Sequence, residues 1–307
     1  MAPAADDSPR ESEPLLAYRA LEAPIVEDEG IFADCLGCFY AFSECLTEKE
    51  KAALRRYKKK ASVQYDPQSP EHEALLCKYF RLAFHLPDDV DVPEKADQWK
   101  ELGFQNGDPR SDFRGGGLLS LQCMIYFAHK YSHHFETLMR ESNRDYAARR
   151  ARDPASSSYG MNGRGDSQDG TGGDHQQQRR QEGEPWEYPL SAVFVNITHF
   201  LVLYLKLNHA PGHNPAVGSD TASKKCLKAF ARLALDERDC ALEELFCCAA
   251  IRIHRLWKIK SLSPSTTLTD FPEVMQNTKR AIVGLFSRRP DHVLEFHQLF
   301  DTVAAAA

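Results

Sequence analysis

The sequence predicts an all-α protein, and three observations support this class. Several segments carry apolar residues at three- and four-residue spacing, which is typical of one buried face of a helix. Candidate helix starts precede two of these segments, at Thr47 and Ser69. No segment alternates convincingly with period two, and no two candidate strands are joined by a tight Asn-Gly turn. We therefore expect a single multi-helix, bundle-like domain.

The first predicted helices have recognisable starts. Thr47 and Glu50 stand at capping-box spacing before the charged segment EKEKAALRRYKKKASVQY. Ser69 and Pro70 suit the N-cap and first turn of a helix over HEALLCKYFRLAFHL. Further along, LLSLQCMIYFAHKYSHHFETLMR keeps one apolar stripe throughout, so we expect one long buried helix there.

The later part of the chain is predicted to contain at least four more helices. They cover YPLSAVFVNITHFLVLYLKL, ASKKCLKAFARLA, DERDCALEELFCCAAIRIHRLWKI and DFPEVMQNTKRAIVGLF, the last with Asp270 and Glu273 at capping-box spacing. The first of these is nearly long enough to span a membrane. Because Asn196, Thr198 and His199 interrupt it, we expect the central helix of a bundle instead.

Segments without periodic apolar residues set the expected boundaries. Residues 1–28 are rich in Glu, Asp, Pro and Ala and predict a disordered leader, and residues 142–185 hold mostly Gly, Ser, Asp, Gln and Arg and predict a disordered insertion. The helical domain is expected over 29–300, followed by a tail at 301–307. The acidic start MAPAADDSPRESEP is unlike a signal peptide, so we expect a cytoplasmic protein.

Composition excludes several functional classes. The 307 residues include 38 Lys and Arg against 44 Asp and Glu, and a net charge of -6 argues against a nucleic-acid partner held by phosphate contacts. There is no nucleotide-binding loop, nucleophile elbow or catalytic cysteine signature. The pair Cys35 and Cys38 lacks a second CxxC. We therefore expect no substrate pocket, metal site or cofactor site of the chain's own.

Two basic features remain as candidate functional elements. The basic cluster Arg55–Lys60 is either a solvated helix face or a peripheral contact with an acidic partner or an organelle membrane. The second feature is Arg114 in WKELGFQNGDPRSDFRGGGLLSL, which stands at the entrance of the long buried helix. Ser111 and Asp112 are candidate N-caps there. Arg114 is either a structural arginine that bonds turn carbonyls or Asp112, or a functional cation.

The same stretch resembles the signature of the ELMO (engulfment and cell motility) domain family, Trp-x3-Gly-Phe-Gln-x3-Pro-x-Thr-Asp-Phe-Arg-Gly-x-Gly-x3-Leu. The similarity extends over about residues 45–290, with Ser111 where the family usually has Thr. The matching residues are Trp99, Gly103, Phe104, Gln105, Pro109, Asp112, Phe113, Arg114, Gly115, Gly117 and Leu121.

This resemblance implies a function. Short members of the family look like GTPase-activating proteins for Arf and Arf-like small GTPases, and long members assist Dock-type exchange factors. By analogy with the short branch, Arg114 would be the catalytic arginine, inserted into a GTPase that itself holds GTP and Mg²⁺. Asp112 would orient the guanidinium, and Gly115 to Gly117 would give it room. The alternative is a non-catalytic interaction module that binds a small GTPase or an exchange factor.

Overall fold

The computed structural model describes residues 46–152, 187–208, 221–235 and 239–290, together with residues 292, 293, 295, 297 and 298. No residue of these ranges lies in a strand, which confirms the predicted all-α class. Two 3-10 helices, Pro109–Arg114 and Leu268–Asp270, accompany the α-helices. The α-helices defined there are α1 Glu48–Ser62, α2 Pro70–Phe84, α3 Asp97–Glu101, α4 Gly117–Lys130, α5 Ser132–Ser142, α6 Arg144–Arg152, α7 Leu190–Tyr204, α8 Lys224–Leu233, α9 Ala241–Ser261 and α10 Phe271–Ser287.

Local sequence signals set the starts of the first two helices, as predicted. The Thr47 hydroxyl accepts a hydrogen bond from the Glu50 amide at 3.2 Å, and the Glu50 carboxylate accepts one from the Thr47 amide at 2.7 Å. Ser69 caps α2 by accepting from the His72 amide, and Pro70 occupies the first helical position. Each bond satisfies an amide that the first turn of a helix leaves without a partner.

The start of α10 differs from the prediction. Asp270 does not pair with Glu273; its carboxylate instead accepts from the Thr267 amide at 2.8 Å and closes a capping box on the preceding 3-10 helix. Glu273 forms an ion pair with Lys260 of α9 at 2.7 Å. The one-turn 3-10 helix therefore moves the capping box three residues upstream of the predicted place.

Helices α4, α7 and α9 form the centre of the domain. Phe127 of α4, Phe194 of α7 and Phe246 of α9 meet edge to face, with ring centroids 5.3 to 6.3 Å apart. All three rings are fully buried, and such aromatic groups bury a large apolar area in a preferred geometry. The predicted central role of YPLSAVFVNITHFLVLYLKL is thus confirmed. Over the described ranges, no helix is both long enough and apolar enough to cross a membrane.

The predicted single helix over LLSLQCMIYFAHKYSHHFETLMR is wrong, because it divides at Tyr131 into α4 and α5. Tyr131 has φ -122° and ψ 44°, outside the α-helical region. Its hydroxyl donates to Glu244 at 2.6 Å and lies 2.9 Å from His297 Nε2. We attribute the break to these tertiary contacts, which local apolar periodicity does not report.

The predicted insertion at 142–185 begins too early. Ser142 is the last residue of α5, and α6 follows at Arg144–Arg152. The side chain of Asn143 accepts from the Tyr146 amide at 3.0 Å, and the buried Tyr146 hydroxyl donates to the Ala83 carbonyl at 2.7 Å. The first bond caps the start of α6 and the second ties α6 to α2, so α6 belongs to the helical domain. Several predictions lie outside the described residues. They concern the rest of the insertion (153–186), the leader, Cys35 and Cys38, and the tail.

Glu244 is a buried carboxylate whose hydrogen bonds join three parts of the chain. It accepts from the Tyr126 hydroxyl at 2.5 Å, the Tyr131 hydroxyl at 2.6 Å and His297 Nε2 at 2.9 Å. Burial alone raises the pKa of Glu244, but the bonds from His297 and the two tyrosines outweigh it, so the pKa lies below its ordinary value. The ionised form is therefore the one that stabilises the fold.

We expect Glu244→Gln to lower the free energy of unfolding at pH 7 by about 1–3 kcal/mol, because the amide matches fewer of these donors. A carboxyl whose folded pKa is lowered contributes stability above its unfolded pKa and loses it as the pH falls through its folded pKa. The difference between the two proteins should therefore shrink below about pH 4.5, the ordinary Glu value. Urea unfolding of both proteins at several pH values measures this difference in the free energy of unfolding.

Glu273→Gln is the matched control, because the Glu273 side chain is 69% exposed in its ion pair with Lys260. An exposed pair contributes about 0–1 kcal/mol, so this variant should unfold almost as the parent does at pH 7. A Glu244→Gln variant as stable as the control at pH 7 would contradict the role given to the buried carboxylate.

Candidate functional site

A cluster of buried aromatic side chains holds the segment that leads to Arg114. Trp99 packs edge to face on Phe104 at 5.6 Å, Phe104 packs on Phe113 at 5.8 Å, and Phe113 stacks on Tyr65 at 5.0 Å. The Trp99 indole also donates to the Pro93 carbonyl at 2.9 Å. The signature residues Trp99, Phe104 and Phe113 are thus buried anchors.

Gly103 brings this segment against the start of α7. Its φ of +83° lies in the left-handed region, which disfavours residues with a side chain. Its carbonyl accepts from the Ala192 amide at 3.1 Å, and the Ser191 hydroxyl donates to the Leu102 carbonyl at 2.5 Å. The backbone of the segment therefore packs directly on the backbone of the central helix.

Arg114 is the last residue of the 3-10 helix Pro109–Arg114, whose start is capped by Asp108. The Asp108 carboxylate accepts from the Arg110 amide at 3.2 Å, and Pro109 is buried at the first helical position. The predicted N-caps Ser111 and Asp112 lie inside this helix instead, so that prediction is wrong. Because a 3-10 helix precedes α4, the side-chain cap lies upstream at Asp108, at the start of the 3-10 helix. The N-cap position of α4 itself is occupied by Gly116.

The two arginines of this segment have opposite environments, and Arg110 is the structural one. Its guanidinium forms a two-pronged ion pair with Glu73 of α2, with N–O distances of 3.0 and 2.7 Å. It also donates to the Glu94 carbonyl at 3.1 Å. Partial burial raises the pKa of Glu73, but bonds from Arg110 and Tyr65 bring it below its ordinary value. Arg110 thus ties the 3-10 helix to α2.

Arg114, in contrast, is exposed. Within the described part of the chain, its guanidinium makes no hydrogen bond and no ion pair. It therefore does not bond any of the described turn carbonyls, whereas a structural arginine would do so. Its backbone is held while its side chain is left available to another molecule.

Asp112 does not bond Arg114, contrary to the role expected from the resemblance. Its carboxylate accepts from the Gln105 amide at 2.9 Å and from the Ser111 hydroxyl at 3.3 Å. Burial raises the pKa of Asp112 above its ordinary value, although these bonds and the nearby charge of Arg114 oppose the rise. Asp112 therefore closes the loop between Gln105 and the 3-10 helix, and acts on Arg114 only through its charge.

The three glycines after Arg114 have different surroundings. A Cβ on Gly117, where φ is +58°, would lie 2.6 Å from the Val63 carbonyl oxygen, and a Cβ on Gly116 would overlap the Ser120 hydroxyl. Gly115 is the least crowded of the three, because a Cβ there would meet its nearest atoms, in His199 and Val195, at 4.0 Å, an ordinary contact distance. Close packing against backbone therefore requires glycine at Gly117, and a side chain at Gly116 would require Ser120 to move. Of the three positions, Gly115 best fits the expectation of leaving room beside Arg114. Leu121, further along α4, is fully buried.

His199 of α7 contacts the backbone next to Arg114, and the sequence reasoning missed this role. Its Nδ1 lies 2.5 Å from the Gly115 carbonyl oxygen. Because a carbonyl only accepts, Nδ1 must carry the proton and donate. From the sequence, His199 is a polar interruption of an apolar helix. The contact joins positions 84 residues apart, so no local spacing reveals it.

The basic cluster Arg55–Lys60 divides into two groups. Arg56 and Lys60 pair with Asp239 at 2.7 and 2.9 Å, and Arg56 also donates to the Ala234 carbonyl. These two cations hold α1 against the chain between α8 and α9. Arg55, Lys58 and Lys59 are exposed. Within this cluster, these three are the cations whose charge is not paired with Asp239.

The fold and the site together define an all-α domain that presents an exposed arginine from a firmly held turn at the entrance of a buried helix. The profile of the ELMO/CED-12 family matches residues 55–275, which is more than half of the chain. The chain therefore belongs to the ELMO/CED-12 family. The resemblance predicted from the Trp99–Leu121 stretch is confirmed, and the matched range lies within the predicted 45–290.

Curated relatives carry the same domain name. The chain is 38% identical over 85 residues to ELMO domain-containing protein B of Dictyostelium discoideum, covering 28% of this chain and 29% of that protein. It is 37% identical over 79 residues to ELMO domain-containing protein 2 of Homo sapiens, covering 26% of each. For ELMO domain-containing protein 1 of Bos taurus the identity is 37% over 96 residues, covering 31% of this chain and 26% of that protein. The similarity thus spans less than a third of each relative.

Proposed function

We propose that this protein accelerates GTP hydrolysis by a small GTPase of the Arf or Arf-like family, by inserting Arg114 into the active site of that GTPase. The observation that carries the proposal is the contrast between the held backbone of Arg114 and its exposed guanidinium, which has no bonding partner among the described residues. Arg110, four residues earlier, forms an ion pair with Glu73 that stabilises the fold. The Arg114 guanidinium, in contrast, is exposed.

The chemistry of GTP hydrolysis suits such a residue. Negative charge develops on the oxygens between the β- and γ-phosphates as the bond to the γ-phosphate breaks. A guanidinium is always charged and directs two N–H groups toward neighbouring oxygens, so it stabilises that charge better than a flexible ammonium does. GTP and Mg²⁺ would be held by the GTPase. The chain described here would supply only the arginine and the surface that docks it.

The surroundings of Arg114 support insertion into a partner. Insertion in trans requires a side chain that reaches beyond the protein surface and a backbone segment that keeps its position during docking. Asp112 and Arg110 fix the 3-10 helix on one side, and the Leu118 amide donates to the Val63 carbonyl at 3.0 Å on the other. No carboxylate of the described residues must release Arg114 before it docks.

Single-turnover GTP hydrolysis on a panel of Arf and Arf-like GTPases tests the proposal. The panel would include one Ras-type and one Rho-type GTPase to measure specificity. The wild-type chain should accelerate at least one Arf-family member, and Arg114→Lys should not, although both should bind it equally. Equal acceleration by the two proteins would remove the catalytic role of the arginine.

The same experiment separates the alternative, a non-catalytic interaction module. In that case the wild-type chain would bind a GTPase, or an exchange factor, without changing the rate of GTP hydrolysis. Arg114→Ala would then alter binding alone, or nothing. Measuring the dissociation constant alongside the hydrolysis rate therefore distinguishes the two functions with one set of proteins.

A further inference from the structure

We infer that His199 is a positioning residue for Arg114, a role that rests on the proposed function. The observation is its hydrogen bond, at 2.5 Å, to the carbonyl of Gly115, the residue that follows the arginine. His199 itself would not contact the phosphates. It acts on the reaction by fixing the peptide unit from which the Arg114 side chain departs.

The need for such a bond follows from the local backbone. The 3-10 helix ends at Arg114, and the carbonyls at the end of a helix lack partners within it. The following residues, Gly116 and Gly117, have no side chains to restrict rotation of the chain. Without an external bond at Gly115, the next described bonds along the backbone are those of the Gly116 carbonyl, which accepts from the Ser120 amide at 3.4 Å, and of the Leu118 amide, which donates to the Val63 carbonyl at 3.0 Å.

His199 is well placed to be a rigid anchor. It is half-buried on α7, between the buried side chains of Val195 and Val202. Because α7 is a central helix of the domain, its position is fixed by the core and not by the loop. The bond from Nδ1 thus fixes the backbone next to Arg114 relative to the core. The arginine is therefore already positioned before the partner docks.

The chemistry of the bond makes a specific choice of variants available. An asparagine amide nitrogen can occupy nearly the same place as histidine Nδ1, because both nitrogens are attached to Cγ. A glutamine nitrogen lies one bond further out, near the place of Nε2. His199→Asn should therefore keep the bond to Gly115, whereas His199→Gln and His199→Ala should lose it.

The first test measures single-turnover hydrolysis at saturating concentrations of the chain, together with the binding constant. We expect His199→Ala and His199→Gln to lower the stimulated rate by about 10- to 100-fold, as a misplacement of about 1 Å does, with binding changed less than twofold. His199→Asn should retain most of the rate. His133→Ala is the matched control, since His133 is exposed on α5, beyond the far end of α4.

A double-variant cycle shows whether His199 acts through Arg114. Adding His199→Ala to Arg114→Ala should cause no further loss of rate, because the arginine that is positioned is already absent. A further loss of the same size as in the wild-type background would overturn the inference. Equal losses in His199→Asn and His199→Gln would also overturn it, since one of the two retains the donor in place.

Amide hydrogen exchange gives a readout that does not depend on activity. The Leu118 amide, which donates to the Val63 carbonyl, should exchange at least tenfold faster in His199→Ala than in the wild type and should remain protected in His199→Asn. Unchanged exchange in His199→Ala would contradict the anchoring role. If Arg114→Lys left the rate unchanged, the proposed function would fail, while this exchange result would still decide whether His199 holds the turn.

Discussion

Arg114→Ala is expected to lower the stimulated rate of GTP hydrolysis by about a thousandfold or more, the contribution usual for an arginine supplied in trans. The thermal unfolding midpoint should stay within about 2 °C of the wild type, because substitutions of exposed side chains without partners change stability by no more than about 0.5 kcal/mol. Single-turnover hydrolysis and thermal unfolding measure the two effects on the same preparations.

The conservative variant Arg114→Lys should lose nearly as much activity as Arg114→Ala. It keeps the charge but replaces a planar fork of donors by a single ammonium, which cannot contact two phosphate oxygens in the same geometry. Loss in both variants with unchanged binding would mean that the arginine acts in the transition state. Loss of binding in both would instead assign Arg114 to docking.

Arg110→Ala is the matched control, since it removes the same side chain four residues earlier in the same 3-10 helix. Here we expect a loss of about 1–3 kcal/mol in the free energy of unfolding, because Glu73 keeps a partly buried carboxylate without its main partner. An equal drop in the unfolding midpoint for Arg110→Ala and Arg114→Ala would mean that both arginines are structural, contrary to their environments.

Gly103→Ala is expected to have the largest effect on stability, about 3–5 kcal/mol. The left-handed conformation, φ +83°, is strained for alanine. In addition, the new Cβ would lie 2.3 Å from the Leu190 nitrogen and 2.9 Å from the Ser191 nitrogen, and both atoms belong to the backbone of α7. Neither can move aside as a flexible side chain would, so the segment and the helix must separate.

Urea unfolding of Gly103→Ala measures this loss, and Gly115→Ala provides the control. A Cβ on Gly115 would meet its nearest atoms at 4.0 Å, an ordinary contact distance, and φ is -83°. We expect Gly115→Ala to change the free energy of unfolding by less than about 1 kcal/mol. If the two variants were equally stable, the close approach of Gly103 to α7 would not be a determinant of the fold.

Sequence reasoning was most successful where the determinant is local. Thr47 and Ser69 lie within three residues of the amides that they cap, so their helices could be placed from the sequence. The break at Tyr131 could not, because the partner of its hydroxyl, Glu244, lies 113 positions away. Asn143 was a local signal for the start of α6, but the polar composition that follows it suggested an insertion instead.

The same distinction holds at the candidate site. The signature includes Arg114 and leaves position 110 variable, yet nothing within it tells that Arg110 is structural. That role depends on Glu73, 37 positions away from Arg110. Likewise, the anchoring contact of His199 becomes visible only when α7 is placed beside the turn.

The exposure of Arg114 has a consequence for how the proposed activity would be inherited among proteins of this fold. Since no described contact of the core depends on that guanidinium, a descendant could exchange it for another residue and still fold. Selection for a stable domain would not oppose such a loss. Possession of the fold alone is therefore weak evidence of GTPase activation in any related chain. The residue that aligns with Arg114 is the first one to compare.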